Sequence, residues 1–115
     1  MNELHVFFET LYDNFNARNI DAVIANMTED VQWANGMEGG YVYGHEGVKQ
    51  YWTRQFKLVS SKVIPLEIKK ENDSVHIKIH QVVHDLNNKL LADQIVTHIF
   101  YLKEGKISRF DIGEK

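Results

Sequence analysis

Residues 31–56 read VQWANGMEGGYVYGHEGVKQYWTRQF, and their patterning decides the fold. Val31 to Asn35 alternates as a strand does, which puts Trp33 and Asn35 on one face. The glycine-rich run NGMEGG follows, where Gly36, Gly39 and Gly40 permit tight turns. Tyr41 to Tyr43 suits a short return strand. From His45 the spacing turns helical, with Val48, Tyr51, Trp52, Gln55 and Phe56 on one stripe. A strand, loop, return strand and helix of this composition set aromatic and amide groups around a hollow.

Working outward towards the N-terminus, residues 3–17 predict an amphipathic helix with Leu4, Phe8, Leu11, Tyr12 and Phe15 on its apolar stripe. Asn16 and Asn19 suit the break that follows. A short second helix is expected from Asp21 to Met27, closed by the polar Thr28, Glu29 and Asp30.

Beyond Lys57 the period falls to two. Strands are expected near 62–71, 74–86, 90–102 and 106–113. Val75, Ile77, Ile79, Gln81, Val83 and Asp85 share one face of the second of these, the more apolar and therefore the inner one. A two-residue turn at Asn87-Asn88 sets Ile79 opposite Val96 and Ile77 opposite His98, so His98 points inward. A three-residue loop, Lys103-Glu104-Gly105, then sets His98 opposite Phe110 and Val96 opposite Ile112. The outer face of the 90–102 strand carries Ile95, Ile99 and Tyr101. With no helix left to cover them, a homodimer through the outer sheet face is expected.

The 115 residues suit one domain spanning 1–115. Net charge is -3 with no basic run, which argues against nucleic acid and anionic membrane as partners. No apolar run is long enough to span a bilayer. There is no cysteine, which excludes a disulfide framework, a thiolate zinc site and a cysteine nucleophile, and fits a reducing compartment. With no signal-peptide pattern at the N-terminus, a cytoplasmic protein is expected.

The segments NARNIDAVIANMTEDVQW (16–33), GHEGVKQYWTRQF (44–56), HIKIHQVVHDL (76–86) and HIFYLKEGKISRFDI (98–112) together resemble the nuclear transport factor two-like superfamily, and within it the SnoaL-like domain. The resemblance covers nearly the whole chain and is closest to small, uncharacterised bacterial members. It implies an α+β, cone-shaped, cystatin-like roll, three helices packed on a curved antiparallel sheet. It also implies a conical pocket open at one end and, in most members, a dimer. The fold hosts cyclases, ketosteroid isomerases, dehydratases, epoxide hydrolases and non-catalytic binding proteins, so it does not fix the reaction.

The chain departs from the isomerase pattern at the positions that match it. Its carboxylate base matches Asn35, which takes no proton at neutral pH. Its oxyanion-binding tyrosine matches Leu11, with Tyr12 adjacent. Its second oxyanion donor, an aspartate, matches His98 if the last hairpin is one residue shorter. These departures argue against ketosteroid isomerisation. SnoaL-like cyclisation needs an acid/base group in the cone, and His98 is the candidate.

His98, facing Ile77, Val96 and Phe110, is expected to be desolvated and neutral, able to accept at one nitrogen and donate at the other. A core histidine satisfied by Gln81 or Tyr12 is the bland alternative. Trp33, Trp52, Phe56, Phe100 and Phe110 supply aromatic wall, most of it simple core. Gln81 and Gln94 pair across strands and either bond each other or orient a ligand. Tyr12 and Asn35 complete the expected ligand-binding set. Glu38 on the loop is a more remote base, Asp85 lies at the sheet rim, and Arg54 lies off the apolar stripe of its helix. His76, His80 and His84 share one strand face, but positions four apart stand roughly 13 Å from each other, so no metal site is expected. No nucleotide-binding motif occurs, and no cofactor is expected. Three functions stay open: a cofactor-independent cyclase, isomerase or hydrolase acting on a small apolar or carbonyl compound; a non-catalytic protein binding such a molecule; and a dimerisation module with a filled cone.

Overall fold

The computed structural model describes residues 3–35 and 39–113. The elements run α1 (Glu3–Asn16), α2 (Ile20–Ile24), β1 (Met27–Ala34), β2 (Tyr41–Tyr43), α3 (Gly44–Leu58), β3 (Val59–Glu71), β4 (Ser74–Asp85), β5 (Leu90–Lys103) and β6 (Lys106–Gly113). Six strands form one sheet in the order β2-β1-β6-β5-β4-β3. All neighbours are antiparallel except β1 and β6, which run parallel. The α+β architecture is the expected one, with three helices laid on a curved sheet.

The core is the space between helices and sheet. Phe8, Leu11 and Tyr12 of α1 and Val48, Tyr51 and Trp52 of α3 are buried, as their helical spacing requires. They meet the inner sets of the strands: Trp33 of β1, Ile77 and Ile79 of β4, Phe100 of β5, Ile107 and Phe110 of β6.

Four local details differ from expectation. The second helix ends at Ile24, and Met27 opens β1. Ile107 explains this: its amide donates to the Asn26 carbonyl at 2.8 Å and its strand pairs with Met27, drawing Met27–Asp30 into the sheet. Pairing is long-range, and local polarity does not reveal it. β3 likewise starts at Val59, three residues early, because Val59, Ser60 and Ser61 pair with Asp85, His84 and Val83.

The β4–β5 register is the expected one in its body, with Ile77 opposite His98 and Ile79 opposite Val96. The turn itself is not the two-residue kind. Asp85 caps a longer loop, its Oδ1 accepting from the amides of Asn87 and Lys89 at 2.8 and 2.9 Å. A bulge between Val83/Ala92 and His84/Leu90 then restores the register. The β5–β6 hairpin differs the other way. Glu104 and Gly105 both have positive φ (53° and 82°), the signature of a two-residue turn that carries the strand twist, and Lys103 pairs with Lys106. A bulge at Ser108 follows, so His98 faces Ile112 and Phe100 faces Phe110. The pairing has moved by two residues from the expected one. An even shift keeps every side chain on its face, and His98 stays inside.

Curvature has a visible source. In β3, Leu66 is the extra residue of a bulge beside Pro65, which lacks an amide hydrogen. Both sit on the edge strand, where a proline and a bulge are tolerated and where bending closes the sheet over the helices.

Candidate functional site

Between the helices and the inner sheet face lies a cavity of about 360 Å³. Its deep wall is aromatic. Trp33 stacks on Phe110 with centroids 4.1 Å apart, meets Trp52 edge-on at 5.1 Å, and lies 6.1 Å from Phe100. Alternation supplies Trp33, Phe100 and Phe110 from three neighbouring strands, and helical spacing supplies Trp52 and Phe15 from the facing helices. Towards the other end the lining residues Val59, Gln81, Val83, Gln94 and Ile112 are half-buried or exposed, which marks the mouth.

His98 stands on β5, one pleat from Phe100, and is 9% exposed. Its Nδ1 lies 2.8 Å from the hydroxyl of Tyr12 on α1. Its ring packs edge-on against Phe110 at 4.8 Å. Burial lowers its pKa to about 3 and pushes the Tyr12 phenol well above its ordinary value. Both groups are therefore neutral at pH 7. The phenol hydrogen has no other acceptor among the described residues, so Tyr12 donating to Nδ1 leaves no orphaned donor. In that arrangement Nε2 carries the imidazole proton. Nε2 has no protein partner among the described residues and is not occluded by neighbouring atoms. His98 thus presents a hydrogen-bond donor to the aromatic end of the cavity.

The polar groups nearer the mouth form a chain across three strands. Gln94 Nε2 donates to Gln81 Oε1, and Gln81 Nε2 donates to Ser61 Oγ, each at 3.5 Å. Among the described residues none that lines the cavity is Asp, Glu, Lys or Arg, so this lining is polar at a few points and carries no charge.

Eight of the ten expected site residues line this cavity: His98, Tyr12, Trp33, Trp52, Phe100, Phe110, Gln81 and Gln94. Two do not. Phe56 packs behind it, against Phe15 at 5.5 Å and beneath the Arg18 guanidinium at 4.2 Å. Asn35 is buried at the end of β1, its backbone bonded to Gly39 and Gly40, and it is not among the lining residues. Between the two candidates for the tyrosine position, Leu11 and Tyr12 both line the cavity, and Tyr12 holds His98. Ser61, Tyr51 and Gln55 are lining residues that the site prediction lacks. The helical stripe already carries Tyr51 and Gln55; Ser61 is hidden by the misplaced start of β3.

The remaining candidates lie elsewhere. Glu38 is outside the described residues. Asp85 caps its loop, and Arg54 is exposed on α3 away from the cavity. On the outer face, His80 Nε2 is 2.6 Å from Asp93, and His76 contacts Ser74 and Glu71. No cluster able to hold a metal ion occurs among the described residues. Among the described residues no helix is long and apolar enough to cross a membrane.

Residues 8–110 match the family model of the SnoaL-like domain. Curated proteins yield no match. Solved structures are similar in fold. TerC, co-crystallised with polyporic acid, is 24% identical with a TM-score of 0.81, over 91% of this chain and 85% of that one. A nuclear-transport-factor-two-like protein of unknown function from Burkholderia pseudomallei is 20% identical with a TM-score of 0.86, over 100% and 92%. Rv0760c from Mycobacterium tuberculosis, in complex with estradiol-17beta-hemisuccinate, is 12% identical with a TM-score of 0.79, over 96% and 92%.

Proposed function

The chain belongs to the SnoaL-like domain family, and we propose that it binds a small, neutral, mostly apolar organic molecule whose carbonyl oxygen accepts a hydrogen bond from His98 Nε2. The observation that carries this reading is the lining: an aromatic wall, no ionised side chain among the described residues, and a buried imidazole donor at its deep end. A buried donor is strongly selective, because leaving it unmatched costs about 1–3 kcal/mol. Two proteins of the same fold solved with polyporic acid and with estradiol-17beta-hemisuccinate support small-molecule binding.

Binding is favoured over acid/base catalysis because His98 is paired with a neutral phenol and not with a carboxylate. A ring with a pKa near 3 holds almost no proton to give at pH 7, and it is a weak base. The test is calorimetric titration with an aryl ketone and the matching hydrocarbon. Wild type should prefer the ketone, and His98→Ala should lose that preference while keeping hydrocarbon affinity. Equal ketone affinity in the two proteins would refute the role of His98.

The working unit is a homodimer through the outer sheet face. Ile64, His80 and Ile95 form one cross-strand row there, and Ile95 is 47% exposed. Ile99 and Tyr101 of the same face are half-buried. The single domain and a cytoplasmic location complete the proposal.

A further inference from the structure

Resting on that reading of the cavity, we propose that the Ser61–Gln81–Gln94 chain is a second polar subsite, which selects an elongated ligand bearing a neutral hydrogen-bonding group, such as a hydroxyl, at the end opposite its carbonyl. His98 and Gln94 stand on the same face of β5, four residues apart, with Val96 between them. At strand spacing that separates them by roughly 13 Å. Two polar positions this far apart, joined by an apolar surface, fit a rod-shaped molecule that is polar at both ends.

The chain is built to exchange partners. Both of its bonds are 3.5 Å long, at the limit of useful hydrogen bonding. Gln94 Oε1 and its second amide hydrogen have no protein partner among the described residues, and Oε1 is not occluded. Ser61, by contrast, is buried at the far end and anchors the row to β3. Gln94 therefore presents both an acceptor and a donor to the cavity while Gln81 holds it from behind. A hydroxyl satisfies such an amide in either direction. A carboxylate at that end would meet no cation among the described lining residues, and desolvation would weaken it.

The experiment compares three rod-shaped probes by calorimetry: para-acetylbiphenyl, the same ketone with a para hydroxyl on its far ring, and the same ketone with a para carboxylate there. The hydroxyl should improve binding to wild type by roughly tenfold, the worth of one neutral hydrogen bond. The carboxylate should bind more weakly than the parent. Gln94→Leu should abolish the hydroxyl gain, read as the ratio of hydroxyl-bearing to parent ketone affinity in the same protein. If the parent binds in a His98-dependent manner but the hydroxyl adds nothing, or if Gln94→Leu keeps the gain, the second subsite is overturned and the first reading stands. If the parent ketone does not bind to folded wild type, both are overturned.

Discussion

The hydroxyl of Tyr12 and Nδ1 of His98 lie 2.8 Å apart, tying the first helix to the fifth strand inside the cavity. In Tyr12→Phe the ring remains and the hydroxyl is lost, leaving a buried ring nitrogen without its partner. The expected loss is about 1–3 kcal/mol in urea unfolding. Nitrogen NMR of His98 should show the Nε2-protonated tautomer in wild type and lose that preference in the variant.

His98 also makes stability depend on pH. Its pKa is lowered from 6.5 to about 3 in the folded protein. Below pH 6.5 the unfolded chain binds a proton that the folded one refuses. The contribution is fully present above pH 6.5 and is lost as pH falls towards 3. Thermal midpoints measured from pH 7 to pH 4 should fall more steeply in wild type than in His98→Gln. Parallel slopes would show that His98 takes up its proton in the folded state.

Glu104 holds a left-handed backbone (φ 53°) in the turn between β5 and β6. Asparagine adopts that conformation more readily. Glu104→Asn should raise stability by up to about 1 kcal/mol without altering ligand affinity, since the turn is remote from the lining residues. A melting curve and one titration check both halves.

Phe100 sits where the aromatic groups converge, 4.8 Å from Phe8 and 5.1 Å from Phe110. Phe100→Ala should cost about 3–5 kcal/mol. Phe56→Leu, which alters a ring behind the cavity, should leave ketone binding within twofold of wild type, a small fraction of RT ln 10.

For the outer face, light scattering of wild type should give twice the chain mass. Ile95→Glu should give the chain mass with an unchanged circular dichroism spectrum, because a charge at that position cannot be desolvated across an interface. A monomeric wild type would remove the dimer.

Much of this arrangement is legible in the residues because the strand period is a parity. Ile77, Ile79, Gln81, Gln94, Val96, His98 and Phe100 fall on one face whatever the turns do, provided each hairpin slips by an even number. The β5–β6 pairing did slip by two, and nothing on the inner face changed sides. What the pattern conceals is set by distant partners. Met27–Asp30 looks like the polar end of a helix until β6 pairs with it. Ser61 looks like linker until β4 does the same. The bulges after Tyr101 and Val83 absorb turn geometry that neighbouring residues alone do not announce. Phe56 shares a helical stripe with Trp52, yet the stripe is wide enough for one ring to face the cavity and the other to face Phe15 and Arg18.

The parallel contact between β1 and β6 sets an order of assembly. The N-terminal half makes β1, β2 and α3 first on the ribosome, but the partner of Trp33 is Phe110 and the partner of Asn26 is Ile107. Until residues 106–113 emerge, one edge of β1 is unpaired and the Trp33 ring lacks its stacking partner, so the nascent chain carries an unfinished aromatic surface. The three hairpins of β3–β6 can zip in sequence from local turns. Joining them to β1 spans most of the chain and should be the slow step of folding. The cavity then comes into being only when β6 joins β1, and a ribosome stalled shortly before residue 106 would hold a chain with helices and separate strands but nowhere for a ligand to bind.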